Sequence, residues 1–138
     1  METERFEAFK RLYIRSNELF NERKYEEAWG QLPEDFEYRP PRNFPGTSVL
    51  RGPGQIIEHF ESVRKALPDS RGEPVEFIDT GKGPYFIHLR LTGAAPRTDR
   101  DGVDDLFQVW EFDERGVPTG CREFTERADA VEAAGIDE

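Results

Sequence analysis

Phe6, Phe9, Tyr13, Ser16 and Phe20 recur at spacings of three and four, the stripe of an amphipathic helix, for which Thr3 is the expected N-cap. Tyr25, Ala28, Trp29 and Leu32 repeat the pattern for a short second helix, which Pro33 stops. Phe36 to Arg39 alternates and ends at Pro40 and Pro41, predicting a short strand that leaves into a loop. Gly52, Pro53 and Gly54 open a third helix with Ile56, Ile57, Phe60, Val63 and Leu67 on its inner face, closed by Pro68. After Gly72 the period drops to two. Val75 to Ile78, Tyr85 to Thr92, Leu106 to Phe112 and Gly120 to Thr125 read as four strands. Turn residues separate them at Gly81 to Gly83, Gly93 to Gly102 and Asp113 to Gly116. Ala128 to Ala134 is a last helical turn ending at Gly135. Helices first and an antiparallel sheet afterwards describe an α+β domain.

Length and charge narrow the function classes. The 138 residues suit a single domain spanning 1–138. A chain near this size buries roughly 68–70% of its unfolded surface, enough for a core and an internal pocket. Lys and Arg number 19 and Asp and Glu 29, giving a net charge of −10. Such a balance disfavours a nucleic-acid partner, which needs clustered cations, and equally an anionic membrane surface. Apolar runs such as Tyr85-Phe86-Ile87 fall far short of the roughly 20 residues that cross a bilayer. Met1 to Lys10 alternates charges and lacks the apolar core of a signal peptide. A soluble cytoplasmic domain is the expectation. With Cys121 as the single cysteine, neither a disulfide framework nor a multi-cysteine zinc site can form within one chain.

Several segments, taken in order, resemble a known superfamily. They are Phe20-Asn21-Glu22-Arg23-Lys24-Tyr25-Glu26-Glu27-Ala28, Phe36-Glu37-Tyr38-Arg39-Pro40-Pro41, and Leu50-Arg51-Gly52 leading into Ile56-Ile57-Glu58-His59-Phe60. Val109-Trp110-Glu111-Phe112-Asp113-Glu114-Arg115-Gly116 follows as strand and turn, and Arg122-Glu123-Phe124-Thr125-Glu126-Arg127 with Ala130 to Gly135 closes the chain. Together they resemble the SnoaL-like branch of the nuclear transport factor 2-like superfamily, which includes polyketide cyclases, ketosteroid isomerases and epoxide hydrolases. The resemblance implies a conical, curved antiparallel sheet packed on three helices of the N-terminal half around an internal, mostly apolar pocket. It also implies a homodimer through the outer sheet face, where Phe86, His88, Arg122 and Phe124 are expected to form an exposed row. That fold hosts many chemistries, so activity must come from the pocket residues.

The resemblance places the ketosteroid isomerase tyrosine at Ser16, its carboxylate base at Arg39 and its protonated aspartate at Gln108. An arginine cannot abstract a proton, so that chemistry has lost its base. SnoaL-type cyclases carry an acid/base aspartate on the last strand, and the resemblance places Glu123 there. A glutamate performs the same transfer when burial brings its pKa toward neutrality. Alternation sets Cys121, Glu123 and Thr125 on one face and Arg122 and Phe124 on the other. A salt bridge to an arginine would give Glu123 a purely structural role instead.

Around Glu123 the candidate binding residues are Tyr38 and Trp110 as aromatic walls, Arg39 and Gln108 as polar orienters and Cys121 as a small pocket-lining residue. His59 and His88 share no metal-like spacing and read as solvated or capping. Asp99, Asp101, Asp104 and Asp105 do not follow calcium-loop order and read as a solvated acidic loop. Neither cofactor nor metal is expected. Three functions compete: a cofactor-independent acid/base enzyme of isomerase, cyclase or hydrolase type acting on a cyclic or polyketide-like carbonyl compound, a non-catalytic binder of a small apolar ligand, and a dimeric association module with a filled pocket.

Overall fold

A 20-residue helix, α1 (Glu2–Asn21), leads the chain in the computed structural model, which describes residues 2–41, 49–66, 68–92 and 103–136. Then follow α2 (Tyr25–Trp29), β1 (Glu37–Arg39), β2 (Leu50–Arg51), α3 (Gly52–Ala66), β3 (Arg71–Asp79), β4 (Tyr85–Thr92), β5 (Val103–Phe112), β6 (Pro118–Phe124) and α4 (Arg127–Ala134). The expected turn at 93–102, Leu67, Asp99 and Asp101 lie outside the described residues.

Thr3 is not the cap of α1, because the helix already includes Glu2. At the other end Arg23 takes a left-handed conformation (φ 67°). The Arg23 and Lys24 amides then bond back to the Phe20 and Leu19 carbonyls at 3.0 and 2.9 Å, which satisfies helix-end acceptors. The Arg23 guanidinium donates onward to the carbonyls of Pro68 (2.5 Å) and Ser70 (2.9 Å). Asn17 and Asn21 both donate to the Gly72 carbonyl, and Asn21 Oδ1 accepts the Gly72 amide at 2.8 Å. A Cβ at residue 72 would stand 2.6 Å from Asn17 Oδ1, so any larger residue there would have to displace the Asn17 amide that holds β3 to α1. These bonds fasten α1 across the sheet.

The six strands lie in the order β2-β1-β6-β5-β4-β3. The sheet is mixed rather than antiparallel throughout: β1 runs parallel to β6, pairing Tyr38 with Cys121 and Arg39 with Arg122. Most of the chain separates these two strands, so no hairpin dictates their sense. The two-residue β2 was not expected, and it pairs antiparallel with β1. β3 starts at Arg71 instead of Val75 and includes Pro74, which an edge strand tolerates, beside a register shift between Pro74 and Glu76. β5 starts at Val103, so Asp105 is a strand residue and not part of an acidic loop. Its Oδ1 lies 2.9 Å from His88 Nε2 and 3.3 Å from Arg90 Nε.

Both sheet faces are covered by this chain's own helices. The inner face joins Tyr85, Ile87, Leu89, Leu106, Trp110 and Cys121 to α1, β1 and α3 residues in one buried cluster. On the outer face Phe86, Phe107 and Val109 pack against Ala130, Val131 and Ala134 of α4. This corrects one expectation. Phe86 is fully buried beneath α4, and His88 stacks on Phe107 with ring centroids 4.6 Å apart, so they form no exposed row.

Candidate functional site

Between the helices and the inner sheet face lies a cavity of about 680 Å³. Its wall is mostly apolar and carries several aromatic rings, among them Tyr13 and Phe20 from α1, Trp29 from α2, Tyr38 from β1, Phe60 from α3 and Trp110 from β5. These rings contact one another edge-on, tilted or stacked, as in the Trp29–Phe60 pair at 5.4 Å and 16°. Leu12, 65% exposed, also lines it, so the cavity reaches the surface beside α1.

Strand register brings the polar groups together. Gln108 on β5 lies directly opposite Glu123 on β6, and Trp110 lies opposite Cys121. Alternation then turns Gln108, Trp110 and Glu123 to the same face. Gln108 Nε2 donates to Glu123 Oε2 at 2.7 Å. Gln108 Oε1 accepts from the Tyr13 hydroxyl (2.8 Å) and from Trp110 Nε1 (2.9 Å). Two donors on Oε1 leave the amide nitrogen no choice but to face the carboxylate. The Tyr38 hydroxyl donates to the other carboxylate oxygen, Oε1 of Glu123. Gln108 and Glu123 are each 6% exposed. The result is a buried carboxylate held in one orientation within an apolar cavity.

Electrostatics fix the protonation of its neighbours. Burial, then the nearby Cys121 and Glu123, pushes the Tyr13 phenol well above the usual range. Burial does the same to Tyr38, reinforced by the charge and hydrogen bond of Glu123. Both hydroxyls therefore stay protonated and act as donors. Burial, with Glu123 and Glu111 adding, also raises the Cys121 thiol, which makes it a poor nucleophile. Across the cavity His59 on α3 packs its ring 6.1 Å from that of Tyr38 and 5.1 Å from that of Phe60. Partial burial lowers its pKa, so the imidazole is neutral at pH 7. Among the described residues that line this cavity, Glu123 supplies the carboxyl group and His59 the imidazole.

The expected residues divide accordingly. Glu123, Tyr38, Gln108 and Trp110 converge on the cavity. Arg39 does not: its exposed guanidinium pairs with Glu37 at 3.1 Å. Adjacent residues on a strand point to opposite faces, and Tyr38 holds the inward place. Cys121 faces inward but is buried in the core, 2% exposed, rather than on the cavity wall. Tyr13 and His59 were not anticipated as site residues. Tyr13 sits on the inner stripe of α1 one turn before Ser16, and His59 lies three residues after the buried Ile56, at the margin of the α3 stripe. Those spacings were the available signals. Among the described residues no group of three or more His, Cys, Asp or Glu side chains is placed to hold a metal ion.

Comparison with known proteins places the fold. No family model matches the chain, and no curated protein does. Solved structures do. A putative isomerase of the SnoaL-like family from Agrobacterium tumefaciens is 20% identical with a TM-score of 0.63, covering 88% of this chain and 97% of that one. An NTF2-like protein of unknown function from Burkholderia pseudomallei is 19% identical with a TM-score of 0.63, covering 89% and 94%. TerC, co-crystallised with polyporic acid, is 20% identical with a TM-score of 0.61, covering 91% and 96%. The chain has the SnoaL-like, NTF2-like α+β fold.

Proposed function

We propose that this protein binds a small, mostly apolar ring compound in its cavity and performs cofactor-independent acid/base chemistry on it through Glu123. The observation that carries the reading is the oriented carboxylate, gripped by Tyr38 and Gln108 inside an aromatic wall. A carbonyl compound seated there would present an acidic C–H or a hydroxyl to Glu123, which takes the proton and returns it to another atom of the same molecule. Isomerisation and aldol-type cyclisation need such a transfer, whereas ring-opening hydrolysis would have Glu123 take the proton from a water that adds to the ring as the leaving oxygen is protonated. The protonated Tyr38 and Gln108 would keep the carboxylate aimed and supply hydrogen bonds as charge moves. Similarity in fold to a putative isomerase and to a protein crystallised with polyporic acid is consistent with a cyclic or polyketide-like ligand.

A non-catalytic binder using the same cavity is the second reading. The hydrogen bonds to Glu123 favour it, because donors to a carboxylate stabilise its ionised form and weaken it as a base. The association module fits less well, since it calls for a filled cone where about 680 Å³ stands open.

Thermal-shift screening of cyclic ketones, polyketide fragments and terpenoid epoxides tests the proposal. A ligand at 100 times its dissociation constant should add about 2.7 kcal/mol to stability. Turnover of that ligand should fall about 10²–10⁴-fold in Glu123→Gln with affinity little changed. Turnover indifferent to the substitution excludes Glu123 as the acid/base, and binding with no turnover favours the binder.

A further inference from the structure

The two walls of the cavity differ in how their polar atoms are satisfied. On the sheet side, Gln108 Oε1 holds two donors, and Glu123 accepts from Tyr38 and Gln108. On the helix side Asn17 donates to the Gly72 carbonyl, but two polar groups are left open. His59 lines the cavity, half-buried, and among the described residues neither ring nitrogen meets a hydrogen-bond partner. The Trp29 Nε1–H, on the same wall and stacked on Phe60, is likewise buried without a partner. A buried N–H such as that of Trp29 is ordinarily hydrogen-bonded, and the His59 imidazole, neutral and only half-buried, offers one donor and one acceptor to whatever occupies the cavity.

Tyr38 spans the space between the two poles. Its hydroxyl reaches Glu123 and its ring packs against His59. A molecule of about two fused rings lying along Tyr38 therefore meets Glu123 at one end and His59 at the other. We propose that the cavity selects ring compounds with two polar functions, a hydroxyl or acidic C–H for Glu123 and a carbonyl or hydroxyl oxygen for His59, and that His59 is the specificity residue for the second. The inference rests on the reading of Glu123 as the pole that meets the ligand, and it adds a requirement which that reading lacks.

Two probes separate the poles: tetrahydronaphthol, a bicyclic phenol, and hydroxytetralone, the same skeleton with a ketone on the far ring. Calorimetry on the full chain should find hydroxytetralone roughly tenfold tighter, the gain of about one net hydrogen bond in a desolvated site. His59→Phe keeps the ring packing on Tyr38 and Phe60 and should bring the two probes within about twofold by removing that bond. His59→Gln, which restores a donor, should recover part of the preference. In the wild type, the His59 ring nitrogens should shift in nitrogen NMR on adding the ketone and stay in place with the phenol alone. Equal affinities in the wild type, a preference that survives His59→Phe, or binding of neither probe would overturn the proposal. Failure of the acid/base reading is distinguishable: it leaves the affinity ratio intact and appears as proton transfer indifferent to Glu123→Gln.

Discussion

Gln108 is the residue on which the site's geometry turns. It satisfies Tyr13, Trp110 and Glu123 at once, all of them buried. Replacing it with leucine strands a phenol and an indole N–H and takes one donor from a buried carboxylate, at about 1–3 kcal/mol for each group. Gln108→Leu should therefore lower unfolding free energy in urea by at least about 3 kcal/mol, whereas Tyr13→Phe should lose about 1 kcal/mol. A Gln108→Leu protein within experimental error of wild type would break the network account. His59 gives the residue scale its pH dependence. Its folded pKa lies below the ordinary 6.5, so as pH falls below 6.5 the unfolded chain takes up a proton before the folded one does. Stability attributable to His59 is present above 6.5 and is lost as pH falls through the folded pKa. Melting temperatures measured downward from pH 7 should decline less steeply in His59→Phe than in the wild type.

At the scale of elements, the junction between β2 and α3 is set by Gly52. Its φ is +79°, its amide donates to the Phe36 carbonyl at 2.8 Å, and a Cβ there would stand 2.8 Å from the Glu34 carbonyl oxygen. Gly52→Ala should destabilise by about 1–3 kcal/mol through backbone strain, read as a shifted urea midpoint with an unchanged slope. The same junction aims α3, and so carries His59 and Phe60 to the cavity. Much of this architecture was legible in advance. Period-two alternation put Glu123 on the inward face of β6, and the helical spacings located all four helices. Alternation also contained the correction for Arg39: with Tyr38 inward, its neighbour on a three-residue strand must point out. The parallel β1–β6 pairing was hidden because it depends on long-range docking and not on any local turn. The covering of Phe86 by α4 was hidden for the same reason, since an eight-residue helix does not announce which sheet face it will meet.

For the whole molecule, the cone divides labour between its two faces. The inner face opens onto the cavity, and the outer face is partly sealed by α4. No described helix is long and apolar enough to cross a membrane. Ile78 and Phe124 pack only partly buried at the margin of the outer cluster, and we propose self-association through this remaining surface. Light scattering at micromolar concentration should give twice the 16.0 kDa chain mass, and a persistent 16.0 kDa species would refute it. A stable interface of this kind needs to bury more than about 1,000 Å².

The central claim is that Glu123 moves protons inside the cavity, and it can be tested before any natural substrate is known. Nitrobenzisoxazole is a small bicyclic carbon acid that opens to a coloured phenolate when a base removes its ring proton. The wild-type protein should accelerate this opening with saturation kinetics. Glu123→Gln, checked by circular dichroism to be folded, should reduce the rate by about 10²-fold or more, the usual worth of a positioned general base. Equal rates for the two proteins, or no acceleration by the wild type, would contradict the account.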